Sequence, residues 1–122
     1  MISYITIGVK DMEQGLAFWT SLLEPLGASV FMNMDRIAFI GESADKPMLS
    51  VCTPYNEEAP HPGNGNMIAL PAGSREKVDE MYARALELGA TDDGPPGERM
   101  PGFYAGYFRD PDGNKAAFIQ MG

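Results

Sequence analysis

Cys52 and His61 are the only cysteine and the only histidine of the chain, and they are the first pair whose types could do chemistry. A thiol becomes a nucleophile when a base or a positive neighbour holds it as thiolate. His61 stands in Pro60-His61-Pro62-Gly63, a turn-rich loop, so no spacing brings it to Cys52. A free cysteine without such a partner behaves as a small buried hydrophobe, which is the first reading of Cys52. Phe103, Tyr104 and Tyr107 put three rings on one strand-like segment. Alternation sends Tyr104 to the face opposite Phe103 and Tyr107, so only one set can line a cavity. Nine methionines is a high count; Met32, Met34, Met48, Met67, Met81 and Met100 suit an adaptable apolar pocket, although core filling is their ordinary role.

The elements that must position these residues repeat themselves. Ile5, Ile7 and Val9 alternate with smaller or polar residues, as a half-buried strand does. Asp11 then stands where a helix N-cap belongs. Met12, Leu16, Trp19, Leu23 and Leu26 follow at spacings of four and three, one apolar stripe. Pro25 and Gly27 stop the helix. The second half has the same order: a strand at Met67-Ile68-Ala69-Leu70, Ser74 as N-cap, a stripe of Val78, Met81, Tyr82, Ala85 and Leu88, and Gly89 as stop. Strand-like segments follow each helix, at 28–34, 36–40 and 48–53, then near Thr91, at 103–109 and at 114–120. Asp110-Pro111-Asp112-Gly113 supplies the last hairpin turn. A proline- and glycine-rich stretch, 54–66, joins the halves.

Each half therefore reads strand, helix, three strands. One such unit is too small to bury both its helix stripe and its sheet face, so two must pack together. The 122 residues fit a single domain, with the first repeat at 1–53, a linker at 54–63 and the second repeat at 64–122.

Composition narrows the function. Seventeen acidic residues against nine basic ones give a formal charge of −8. Nucleic-acid binding requires a positive field, and an acidic surface is repelled by anionic lipid, so both classes fall away. A cationic ligand is the weakly favoured alternative. One cysteine excludes an internal disulfide framework. No basic stretch followed by a long apolar run opens the chain, and no apolar run approaches about 20 residues, so a cytoplasmic location is expected.

Two tandem βαβββ units resemble the vicinal oxygen chelate superfamily, the glyoxalase, bleomycin resistance protein and dioxygenase family. The strings that carry the resemblance are Tyr4-Ile5-Thr6-Ile7-Gly8-Val9-Lys10-Asp11, Leu16-Ala17-Phe18-Trp19, Pro25-Leu26-Gly27, Pro62-Gly63-Asn64-Gly65, Ser74-Arg75 with Val78-Asp79, and Phe108-Arg109-Asp110-Pro111-Asp112-Gly113-Asn114-Lys115. Their order spans nearly the whole chain. The resemblance implies an α+β fold in which the two units form a cupped mixed sheet around a cavity, with the helices outside. It also implies metal ligands, one early in the first strand and one in the last strand of each unit, and these positions fall at Tyr4, Ser50, Met67 and Ala117. None is an imidazole, carboxylate or thiolate, the donors that divalent zinc, nickel or manganese takes. No metal or other cofactor is therefore expected.

The candidate cavity lining is then Tyr4, Ser50, Cys52, Met67, Arg99, Tyr104 and Ala117. Tyr4 replaces the family's usual first histidine and offers a phenol for stacking or hydrogen bonding. Arg99, in Pro95-Pro96-Gly97-Glu98-Arg99, resembles part of a loop over the pocket mouth, where a guanidinium pairs with carboxylate or phosphate; a solvated loop arginine is its bland reading. Tyr104 matches a tyrosine common before the Asp-Pro-Asp-Gly turn. The expected function is metal-free binding of a small organic molecule, cationic or aromatic, by a homodimer. The alternative is a lyase- or isomerase-type enzyme of the same superfamily that uses Tyr4, Tyr104 or Cys52 as acid or base, or a metal site not recognised in the sequence.

Overall fold

The computed structural model describes residues 1–122 and divides into two compact units, Met1–Pro62 and Gly63–Gly122. In the first, β1 (Tyr4–Gly8) leads to α1 (Met12–Leu23) and a short 3-10 turn (Glu24–Leu26), then to β2 (Ser29–Asn33), β3 (Ile37–Gly41) and β4 (Met48–Cys52). In the second, β5 (Ile68–Pro71) leads to α2 (Arg75–Glu87), then to β6 (Thr91–Met100), β7 (Phe103–Arg109) and β8 (Lys115–Met121). Each unit is the βαβββ order that the sequence predicts. The sheets are mixed: β1-β4-β3-β2 and β5-β8-β7-β6, each with a parallel first pair and antiparallel neighbours beyond it.

Both helices start as expected. The Asp11 carboxylate accepts from the Gln14 amide at 3.2 Å, and the Ser74 hydroxyl accepts from the Lys77 amide at 3.0 Å, satisfying amides that have no partner within the helix. Gly27, at φ 86°, ends the first helical segment in a conformation that costs other residues a steric penalty.

The first stripe lies in a different phase from the one expected. Gly15, Phe18, Trp19, Leu22 and Leu23 are buried, whereas Met12 and Leu16 are half-buried and line a groove of about 540 Å³ beside Val30. Gly15 is the cause. A Cβ there would lie 2.7–2.9 Å from three carbons of the Val9 side chain, so only glycine lets the helix settle this close to the chain at the end of β1. The stripe of α2 is buried as expected at Val78, Met81, Tyr82 and Ala85, while Leu88 is exposed beyond the helix end.

A second departure concerns 95–99, expected as a loop. It is part of β6, ten residues long, with register breaks on either side of its glycines. Pro95 and Pro96 are tolerated because they fall in the register break between Gly94 and Gly97, where neither is paired with β7, on a strand at the sheet edge. The Tyr82 hydroxyl donates to Asp92 at 2.6 Å and ties β6 to α2; burial and this bond push the phenol pKa up to about 12. The β7–β8 turn closes on a buried carboxylate: Asp110 accepts from the amides of Asp112 and Asn114 and from the Asn114 side chain, at 2.8–2.9 Å.

Gly15→Ala is expected to lower the unfolding free energy by about 1–2 kcal/mol, overpacking against Val9 outweighing the helix-propensity gain. Urea unfolding of Gly15→Ala, Val9→Ala and the double variant measures this. The double variant should be more stable than the sum of the single losses.

Candidate functional site

In the first unit the face that meets α1 carries Ile7, Val9, Ala38, Ile40, Leu49 and Val51, all buried. Side chains alternate along a strand, so their neighbours in sequence face the other way. Register brings Tyr4 beside Met48, Thr6 beside Ser50, and Phe39 beside both Ser50 and Met32 on that helix-free face. In the second unit Ala69 pairs with Ala117, and Met67 stands two residues before Ala69, one residue short of β5. Tyr4 stands in the same way two residues before Thr6, the partner of Ser50. The four positions implied by the family resemblance therefore occupy equivalent places in the two repeats, Ser50 included.

Their donors do not fit a divalent ion. A phenol, a hydroxyl, a thioether and a methyl group offer no imidazole, carboxylate or thiolate. No three His, Cys, Asp or Glu side chains come together in an arrangement that could hold a metal. The Ser50 hydroxyl is fully buried and has no hydrogen-bond partner in the protein.

What the first unit does present is an apolar cleft of about 520 Å³. The Tyr4 and Phe39 rings meet edge to face, 4.9 Å apart at 86°. Met48 and Met32 flank them. A β-bulge between Val30 and Met32 turns Phe31 to the same cleft. Asp45 and Lys46 stand at the rim. Lys46 pairs with Glu42 at 3.5 Å, whereas Asp45 is in no ion pair. A hydrogen bond from the Ser43 hydroxyl, aided by the backbone, holds the Asp45 carboxyl below its ordinary pKa, so it stays charged at neutral pH.

Cys52 is half-buried, with Gly8 and Ile37 beside it in register, neither of them a base. Tyr104 is not on the helix-free face of its sheet. Its hydroxyl donates to Asp79 of α2 at 2.6 Å, and Arg75 of α2 lies 5.1 Å from its ring. The Asp79 hydrogen bond raises its pKa, which keeps the phenol protonated. The helix has claimed this ring, and it lines no helix-free face. The other set, Phe103, Ala105 and Tyr107, takes that face, and Tyr107 stands opposite Ala117. Arg99 lies over the Tyr107 ring at 5.2 Å. Sequence reasoning missed Phe31, Phe39 and Asp45: β3 is apolar on both faces, so its alternation carries no contrast, and a bulge leaves no mark in composition.

Among known proteins, the family model described as glyoxalase/bleomycin resistance protein/dioxygenase superfamily matches residues 1–118. A crystal structure of a glyoxalase/bleomycin resistance protein from Albidiferax ferrireducens T118 is 32% identical, with a TM-score of 0.90, over 100% of this chain and 99% of that one. A family enzyme from Burkholderia phytofirmans PsJN is 18% identical at TM-score 0.81, covering 98% of this chain and 97% of that one. Lactoylglutathione lyase from Agrobacterium tumefaciens is 20% identical at TM-score 0.72, covering 98% and 92%. The last two likenesses speak for the fold alone. No curated protein matches the chain.

Ser50→Ala is expected to leave the unfolding free energy unchanged or raise it by about 1 kcal/mol, because it removes a buried hydroxyl that gains nothing from the protein. A loss of stability in chemical denaturation would show that the hydroxyl is paired in solution.

Proposed function

The chain belongs to the glyoxalase/bleomycin resistance protein/dioxygenase superfamily, and within it we propose a member that binds a small organic cation or aromatic molecule without a metal ion. The observation that carries this reading is the exchange at the equivalent positions of the repeats. Metal donors are missing from Tyr4, Ser50, Met67 and Ala117, and Tyr4 instead joins Phe39 in an aromatic cleft. A volume of about 520 Å³ falls in the range of small-molecule sites, and the lining is apolar with few charged groups, as such sites are. Aromatic faces attract a cation through the ring quadrupole, and methionine adapts to its shape. Asp45, ionised and in no ion pair, supplies the charge at the rim.

A homodimer belongs to the same proposal. Tyr4 and Ile5 on β1, and Val30, Phe31 and Met32 on β2, are large exposed hydrophobics on the two edge strands of one sheet. Exposed apolar edges of this kind invite a partner. A cytoplasmic location is likewise proposed; it suits a chain with one free thiol. No helix is long and apolar enough to cross a membrane.

Titration with benzyltrimethylammonium, an aromatic quaternary cation, tests the reading by calorimetry. Binding should weaken about tenfold in Phe39→Ala and in Tyr4→Ala, the loss expected of one cation–π contact. EDTA, and zinc or nickel added in excess, should leave the melting temperature of the wild type unchanged. Stoichiometric metal stabilisation overturns the proposal. Light scattering should give twice 13.2 kDa at micromolar concentration, and a monomer mass removes the dimer.

A further inference from the structure

We propose that the helix-free face of the second unit holds a site for a small organic monocarboxylate, received by Arg99 beside Tyr107. This site lies on different residues from the cation cleft and stands or falls apart from it.

Arg99 is exposed, and its guanidinium makes two contacts within the unit. It donates to the Pro95 carbonyl of its own strand and lies over the Tyr107 ring at 5.2 Å. The strand beneath it is cleared by two glycines. A Cβ on Gly94 would come within 3.1 Å of the Tyr107 ring and 3.5 Å of the Arg99 Nη2, and one on Gly97 within 3.6 Å of Nη1. Gly94 also has φ +143°, a conformation that residues with a side chain rarely adopt. A planar guanidinium fork matches the two oxygens of a carboxylate.

The charge around Tyr107 favours an anion. The ion pairs of the second unit are Arg75–Glu98, Lys77–Glu80, Arg109–Asp93 and Lys115–Asp93, and Arg99 takes part in none of them. Lys115 lies 5.5 Å from the same ring and shares the Asp93 carboxylate with Arg109, at 3.4 and 3.2 Å. Asp92 accepts from the Tyr82 hydroxyl and the Gly94 amide and feels the charge of Arg99. Arg99 is thus the cation beside Tyr107 that is in no ion pair. Ala117, buried opposite Tyr107, adds no charge. The Tyr107 hydroxyl makes no hydrogen bond in the protein, so it is a second donor for the same ligand.

Benzoate is the probe, titrated by calorimetry at pH 7 and low salt, with inorganic phosphate as the comparison. Benzoate should bind the wild type more tightly than phosphate. Its affinity should fall at least tenfold in Arg99→Gln and severalfold in Tyr107→Phe, and stay unchanged in Phe39→Ala. Thermal unfolding of each variant verifies the fold, and Arg99→Lys, which keeps the charge but not the fork, should bind less tightly than the wild type. Benzoate affinity unaltered in Arg99→Gln, or phosphate bound more tightly than benzoate, overturns the proposal. Because benzyltrimethylammonium is scored separately on Phe39→Ala, failure of either site is read without the other.

Discussion

In the first unit α1 presses so tightly onto the chain at the end of β1 that at Gly15 the fit has no room for a single carbon. That contact decides the rest of the first unit. Side chains alternate with a period of two, so committing Val9, Val51 and Ile40 to the helix sends Tyr4, Ser50 and Phe39 to the opposite face together. A slip of one residue in β1 would exchange the two sets and place Tyr4 under the helix. The composition of the cleft is thus a consequence of where the helix sits.

The same repeat yields two chemically unlike helix-free faces. In the first unit the equivalent positions are filled by a phenol and a buried hydroxyl among rings and thioethers. In the second they are a thioether and a buried methyl, and the face is organised by Tyr107 and the cations around it. Symmetry of backbone does not carry symmetry of function. A duplicated fold repeats positions, and each position then takes whatever side chain its own neighbours accommodate.

What could be read in the sequence was local. The caps at Asp11 and Ser74, the stops at Gly27 and Gly89 and the Asp110 turn each depend on residues within a few positions, so the repeat and hence the fold were legible. The phase of α1 was not, because a count of apolar residues gives Gly15 no weight although its missing Cβ is what draws the helix in. Pro95 and Pro96 read as loop because the register break and edge position that tolerate them are properties of the paired sheet. The face taken by Tyr104 was undecidable from alternation; Asp79 and Arg75, 25 and 29 residues earlier in the chain, decided it.

Net charge misleads at this scale. A formal charge of −8 argues against anionic ligands only if a ligand feels the whole chain. At physiological salt an exposed charge is screened over about 8 Å, so a bound molecule feels the residues that touch it and few others. The exposed pairs Glu42–Lys46, Arg75–Glu98 and Lys77–Glu80 cancel locally and contribute little beyond that. At the two sites, what remains outside ion pairs is Asp45 in one unit and Arg99 in the other, of opposite sign. Asp45, held ionised by Ser43, keeps its charge to lower pH than an ordinary carboxylate. The sign of each face is therefore set by its own neighbours, and the acidic average of the chain describes neither.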